Sequence, residues 1–226
     1  MGKRWGRLAE VLVVRDGYVR PTEDSTEVRA TVTVVRSGHQ VILYDVGDYQ
    51  GRLRLLEQLR AVDVQPEQVT LVVLSHLHWD HALNFECFSS SQFVIAARER
   101  ASARHPGRDR ATPRFLLEAL ERGTRLSEVK CDGPLSSDVR YLHTPGHTAG
   151  HLSLAVETSQ GTVVLAGDAC PQRESWLHGV PDLVFFDEAL ARSSVDLIRR
   201  TADIVVPGHG PAFWANSGDN AGRTFR

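Results

Sequence analysis

Apolar, often β-branched residues alternate with polar ones over residues 8–15 and again over 28–36, the pattern of strands that bury one face. Ser37-Gly38 then turns the chain and predicts residues 40–45 as the hairpin partner of the second run. Between 50 and 61 the spacing shifts to Leu53, Leu56 and Leu59, which predicts a helix. Pro66 breaks the chain before the apolar run 69–74, which is too short for a helix and β-branched enough for a buried strand. Residues 93–97 read as a further strand, and 98–125 as mostly polar helix and loop. In the second half, 140–143, 152–157 and 162–166 return to strand patterns, with a turn at Ser159-Gln160-Gly161 joining the last two. Residues 189–202 predict a second long helix and 203–206 a short strand, while the polar tail 216–226 is expected to be flexible.

A meander of strands, then a helix, then a looser repetition of the same order favours two mixed sheets packed together with helices on the outer faces. The expected fold class is thus α/β (α+β), a four-layer αββα sandwich. No residue-level repeat and no linker divides the chain, so residues 1–226 read as a single domain. Composition removes some functions. A net charge of −2 gives no global field toward nucleic acid or a membrane surface. No apolar run approaches the roughly 20 residues that span a bilayer. The basic start, Met1-Gly2-Lys3-Arg4, has no long apolar stretch behind it, so the cytoplasm is the expected location. Cys87, Cys131 and Cys170 are odd in number and lack C-x-x-C spacing, which argues against a disulfide framework or a thiolate zinc site.

The candidate chemistry lies where strands end. Directly after the run 69–74 comes Ser75-His76-Leu77-His78-Trp79-Asp80-His81, three imidazoles and a carboxylate within six residues. Such a set suits metal ligation better than core packing. Later strands end in His143-Thr144-Pro145-Gly146-His147-Thr148-Ala149-Gly150-His151, in Gly167-Asp168 and in Pro207-Gly208-His209-Gly210. A glycine beside each ligand candidate lets the backbone turn sharply, so four strand ends can converge on one point.

Taken in order, H-L-H-W-D-H, T-P-G-H-T-A-G-H, G-D and P-G-H-G resemble the metallo-β-lactamase superfamily, from the Asp45-Val46-Gly47 turn to His209. The resemblance implies the αββα fold. It assigns His76, His78 and His147 to a first metal site and Asp80, His81 and His209 to a second, with Asp168 bridging the two. It makes Asp45 the turn residue that orients a ligand imidazole. His143 and His151, flanking His147, belong to the same supporting layer, His143 as structural rather than ligating and His151 as either orienting a ligand or facing substrate. The donor chemistry agrees: three neutral imidazoles make a tetrahedral zinc site with one position open, and a carboxylate-richer site can lie about 3.5–4 Å away.

Departures from the family narrow the substrate. Asp168 and His81 separate this chain from the antibiotic-resistance β-lactamases, which bridge with a Cys, and His78 stands where flavodiiron proteins have Glu. Glyoxalase II-like enzymes share H-x-H-x-D-H but have a longer C-terminal helical region, and the large β-CASP insertion of nucleic-acid-processing relatives is lacking. Acyl-homoserine lactonases resemble the ligand set, yet their Tyr three residues past the bridging Asp falls on Pro171. The strongest likeness, in G-D-A-C-P-Q-R-E-S-W and D-I-V-V-P-G-H-G-P-A-F, is to small stand-alone metallo-β-lactamase-domain-containing proteins, a group linked to RNA 3′-end cleavage.

The leading expectation is a hydrolase with two divalent metal ions, zinc by preference and iron or manganese as alternatives. A hydroxide shared by the metals attacks an ester-like small molecule (a lactone, thioester or related acyl compound), and Asp80 orients the nucleophile or moves its proton. Trp79 inside the motif, with Trp176, His178 and Phe185 beyond Asp168, are the candidates to face substrate. A phosphodiesterase or ribonuclease with the same metals is the alternative. Nucleic acid is the less favoured partner, because segment 98–125, with eight Arg and four acidic residues, reads first as a solvated face with internal ion pairs. A mononuclear iron persulfide dioxygenase is a third reading, opposed by the complete second ligand set.

Overall fold

The computed structural model describes residues 8–105, 107 and 109–215. The tail 216–226, expected to be flexible, lies outside the described residues. The first half contains β1 (Glu10–Arg15), β2 (Tyr18–Pro21), β3 (Thr26–Arg29), β4 (Val32–Ser37), β5 (Gln40–Tyr44) and α1 (Arg52–Ala61). It continues through β6 (Leu71–Val73), the single turn α2 (Trp79–Ala82), β7 (Gln92–Ala96), α3 (Ala97–Ala103), α4 (Leu116–Gly123) and β8 (Arg125–Val129). The second half contains β9 (Gly133–Pro134), β10 (Val139–His143), β11 (Leu152–Thr158), β12 (Gly161–Gly167), α5 (Arg173–His178), α6 (Glu188–Thr201), β13 (Ile204–Pro207) and β14 (Phe213–Trp214).

These elements form the four-layer sandwich expected from the pattern. One sheet runs β1-β4-β5-β6-β7-β8 and the other β14-β13-β12-β11-β10-β9, with β2 and β3 as a separate ribbon. Between the sheets, alternate residues of both meet in one core: Val35, Ile42, Val73 and Val94 from the first, Leu154, Val156, Leu165 and Val206 from the second. The other face of the first sheet buries Leu43, Val72 and Phe93 against Leu55 and Leu59 of α1 and Leu116 and Leu120 of α4. The outer face of the second buries Val164, Ala166 and Val205 against Ile198 of α6. A strand apolar on both faces is what two-sided burial requires. Pairing is parallel from β5 to β8 and between β12 and β13. Among the described residues no helix is long and apolar enough to cross a membrane.

Several expected elements come out differently. Residues 28–36 are not one strand but the end of β3 and all but the last residue of β4, parted at Ala30-Thr31. There Thr31 N–H donates to Gly208 O and Thr31 Oγ1 accepts from Gly17 N–H, so the chain leaves the ribbon for the sheet through loop contacts that a local period does not encode. The helix expected at 50–61 forms as α1, but it buries Leu55 and Leu59, four residues apart, and turns Leu53 outward. Segment 98–125 supplies α3 and α4 and leads into β8, an edge strand whose polar, weakly alternating sequence disguised it. Residues 173–178, expected as loop, are α5.

Candidate metal centre

β6 ends at Val73, and the two residues after it carry the chain over the sheet edge to Ser75 and His76. His78 is the N-cap of α2, which brings Asp80 and His81 round to the same side within one turn. The connection between β10 and β11 delivers His147, the end of β12 delivers Asp168, and the end of β13 delivers His209. All seven side chains are buried. Their donor atoms form three overlapping groups, each within 4.8 Å: His76 with His78 and His147; His76 with His81 and Asp168; Asp80 with His81 and His209. Asp168 lies between the sets. Its Oδ2 is 3.3 Å from His147 Nε2 and 3.2 Å from His209 Nε2, and its Oδ1 is 3.3 Å from His81 Nε2. Gly208 makes this placement feasible, since a Cβ there would overlap Asp168 Oδ1.

Each of the five imidazoles is held from behind. His147 Nδ1 donates to Leu183 O at 2.8 Å and His209 Nδ1 to Arg29 O at 2.8 Å. His81 Nδ1 donates to Asp45 Oδ2 at 2.7 Å and His78 Nε2 to Asp109 Oδ2 at 3.2 Å. Because the Ser75 hydroxyl spends its proton on Asp45 Oδ2, its lone pair is left to accept from His76 Nδ1, 2.9 Å away. With every outward nitrogen carrying a proton, the inward nitrogens are the ones left for a ligand; His209 Nε2 donates to Asp168 Oδ2 at 3.2 Å, and the others face the cluster. They have little else to do: His76 Nε2, His81 Nε2 and Asp168 Oδ1 are buried without a hydrogen-bond partner, and His78 Nδ1 faces His147 Nε2 at 3.0 Å. Buried polar atoms are rarely left so. Divalent cations, one among His76, His78 and His147 and one among Asp80, His81 and His209, with Asp168 between them, would satisfy these atoms, and the donor set fits them.

Electrostatics separates the imidazoles. Burial, with the neighbouring imidazoles, holds His76 well below the ordinary histidine value, and burial takes His147 down to about 4. Burial also presses on His81 and His209, but Asp168 and Asp80 outweigh it, joined by Asp45 at His81, and both titrate above the ordinary value. Asp168 stays well below the carboxylate range in spite of burial, because His209, His81 and His147 favour its charge.

The remaining candidates divide. Asp45 sits behind His81, at a positive φ of 59°. His151 is fully buried, so it does not face substrate: its Nε2 accepts the Asp168 N–H at 3.0 Å and its Nδ1 donates to Thr144 Oγ1 at 2.9 Å. His143 is not brought to the cluster; it pairs with Asp132 at 3.1 Å, at the rim of its sheet. Trp79 keeps 37% of its surface exposed beside His78. Trp176 instead packs edge-on to Phe213 at 5.7 Å, with the Arg199 guanidinium over its ring, in the outer layer behind the second sheet. His178 ends α5 on the exposed side. Both were expected to line the site because the helix that carries them was not foreseen. Phe185 does reach it, its ring 4.9 Å from that of His78 and 5.3 Å from that of His147. Glu99 and Asp109 were not anticipated, for each is a lone acidic residue in an Arg-rich segment.

The family model for the metallo-beta-lactamase superfamily matches residues 25–209. An N-acyl homoserine lactonase from a Bacillus species is 32% identical over 161 residues, which are 69% of this chain and 62% of that protein, so the match spans less than two thirds of the relative's length. Metallo-beta-lactamase domain-containing protein 1 of Xenopus laevis is 29% identical over 209 residues, 90% of this chain and 80% of its own. Among solved structures, a putative metallo-beta-lactamase from Thermotoga maritima superposes with a TM-score of 0.74 at 20% identity, covering 92% of this chain and all of that one.

Proposed function

The chain belongs to the metallo-beta-lactamase superfamily, and from that premise we propose that it is a dinuclear metal-dependent hydrolase of small ester-like substrates, lactones first among them. One observation carries the reading: the inward nitrogens of His76, His78, His81, His147 and His209, with Asp80 and Asp168, surround one buried space, and every ring is fixed from outside. Five imidazoles and two carboxylates suit zinc best, with iron and manganese next. Two such ions would supply Lewis-acid polarisation of a carbonyl and a nucleophile usable near neutral pH.

The chain's own groups do the rest. Asp168, with Oδ2 toward His147 and Oδ1 toward His81, is the residue that would be shared between the two ions. Asp80 Oδ2, 3.6 Å from both His81 Nε2 and His209 Nε2, is the catalytic candidate for holding and returning a proton. His151 fixes the backbone at Asp168, and Asp45 fixes His81. Trp79 and Phe185 stand at the mouth as contacts for an apolar part of the substrate. A cavity of about 240 Å³ between Glu99, Asp109 and Thr112 on one side and Ala149, Phe185 and Phe186 on the other has room for a short acyl arm. The lactonase among the relatives supports a lactone within the acyl class.

A phosphodiester is the other substrate such metals serve. The Arg-rich segment offers it less than its composition suggests, since Arg100 and Arg104 pair with Glu121 and Arg122 with Glu118. The deciding experiment is metal analysis of purified protein beside a panel of p-nitrophenyl esters, a simple lactone, an acyl homoserine lactone and bis-p-nitrophenyl phosphate. Two zinc ions with lactone turnover is the expected result. Turnover of the phosphodiester alone would overturn the acyl reading, and a single iron without zinc would turn attention to the persulfide dioxygenase.

A further inference from the structure

Two carboxylates outside the proposed ligand set converge on only one of the two metal positions. Glu99, in the first turn of α3, is buried, and both its oxygens are in use. Oε1 accepts the Leu77 N–H at 3.0 Å, between His76 and His78. Oε2 accepts the Thr148 hydroxyl at 2.7 Å and the Gly150 N–H at 3.1 Å, on either side of the turn that follows His147. The approach is close enough that a Cβ at Gly150 would overlap the Glu99 backbone. Six residues past α3, Asp109 takes the outward nitrogen of His78 and is itself locked by the Ala111 N–H at 2.8 Å and the Thr112 hydroxyl at 2.7 Å. Ala111 O then accepts the Trp79 N–H at 3.0 Å.

The second position has other supports. His209 leans on Arg29 O, His81 on Asp45, and the Asp168 backbone on His151. Neither Glu99 nor Asp109 touches any of these. Resting on the metal-centre reading above, we propose that the α3 segment and the loop after it form a brace dedicated to the His76/His78/His147 position, so that this ion can be loosened without the other although Asp45 and Asp168 serve both. Glu99 is a positioning residue that fixes the spacing of the two ligand loops. Asp109 is a positioning residue that fixes the His78 ring with its inward lone pair available. The Arg-rich segment thereby acquires a function that needs no contact with substrate.

The test loads the full-length protein with Co²⁺, titrates it with a chelator, and follows bound metal per chain together with the visible cobalt spectrum. The wild type is expected to hold two ions. Asp109→Ala should release one of them at a chelator level about 10- to 100-fold lower while the other stays, the usual cost of removing a ligand's hydrogen-bond partner. Asp109→Asn, which keeps an acceptor oxygen, should fall between the two. Glu99→Gln should weaken the same ion, because an amide NH₂ would face one of three donors. Should that variant fail to fold, Thr148→Val removes a single contact and is expected to shift the same ion by a smaller factor. His209→Ala supplies the reference in which the other ion is missing and the Asp109-sensitive one remains. Simultaneous release of both ions from Asp109→Ala, or release of neither below wild-type chelator levels, would overturn the separable brace alone. A wild type that takes up no divalent metal would overturn the metal centre and this inference with it.

Discussion

Asp45 Oδ2 lies 2.7 Å from His81 Nδ1 and also accepts the Ser75 hydroxyl at 2.8 Å, while Ser75 in turn faces His76 Nδ1 at 2.9 Å. One buried carboxylate therefore reaches an imidazole of each proposed site. Asp45→Asn is a clean probe, because Asn tolerates the left-handed φ of 59° found there. The expected outcome is a loss of about 10- to 100-fold in affinity for both ions together. Chelator competition measures it, and unchanged affinities would remove Asp45 from the supporting role.

His151 and His143 flank the same motif but predict opposite behaviour. Truncating His151 strands the Asp168 N–H and the Thr144 hydroxyl and opens a void in a fully buried position. His151→Ala should cost about 2–5 kcal/mol of unfolding free energy in metal-free protein. His143 pairs with an Asp132 that is itself more than half exposed, so His143→Ala should cost at most about 1 kcal/mol and leave turnover intact. Urea melts of both variants with metal stripped out check the pair; equal losses would contradict the placement.

Removing the bridge is the sharpest test of activity. Asp168→Ala deletes the carboxylate that stands within 3.3 Å of His81, His147 and His209. Turnover should fall by more than about 100-fold, the upper cost of losing mere support for a ligand. Chelator treatment of the wild type should match it, and added metal should restore only the wild type. Full turnover by metal-depleted Asp168→Ala protein would sink the hydrolase mechanism.

The metal motif was legible because its residues are close in sequence or flagged by glycine. His76 to His81 stand together, and His147, Asp168 and His209 each follow a strand and a Gly. The sandwich was legible for a similar reason, since strands buried on both faces are written as unbroken apolar runs such as 71–74. What the sequence concealed is the layer behind the ligands. Glu99 and Asp109 act from 22 and 31 residues beyond their partners Leu77 and His78, and nothing local distinguishes them from a solvated charge. Two supports, Arg29 O and Leu183 O, are backbone atoms, which no side-chain identity can announce. Trp176 misled because an aromatic after a metal ligand looks the same whether its helix faces the cleft or the outer core.

Protonation in the metal-free protein gives a pH signature. His81 and His209 titrate above 6.5, so their charged forms stabilise the fold below that pH, and the contribution is lost as pH rises through their folded values. His76 and His147 titrate below 6.5, His147 at about 4, so they cost stability as pH falls from 6.5 toward those values, where the unfolded chain takes up protons and the fold does not. A cation must therefore displace protons from His81 and His209 but finds His76 and His147 already free. Titration calorimetry in two buffers of different ionisation enthalpy should show net proton release on metal uptake near pH 7, diminishing as pH rises. Uptake without proton release would contradict the charge assignment.

Phe185 offers a test of the substrate class that leaves the metals alone. Its backbone N–H donates to His147 O at 3.0 Å, a contact that substitution at the side chain preserves. Its ring lies against His78 and His147 but keeps 45% of its surface exposed, so about half remains for a ligand to cover. Half-burial of such a side chain is worth about 1 kcal/mol, roughly fivefold in binding. Phe185→Ala should therefore raise KM about fivefold for a hexanoyl ester or lactone while leaving an acetyl ester and kcat nearly unchanged. If both chain lengths shift equally, the ring buttresses the imidazoles instead of meeting substrate; if neither shifts, the acyl arm lies elsewhere.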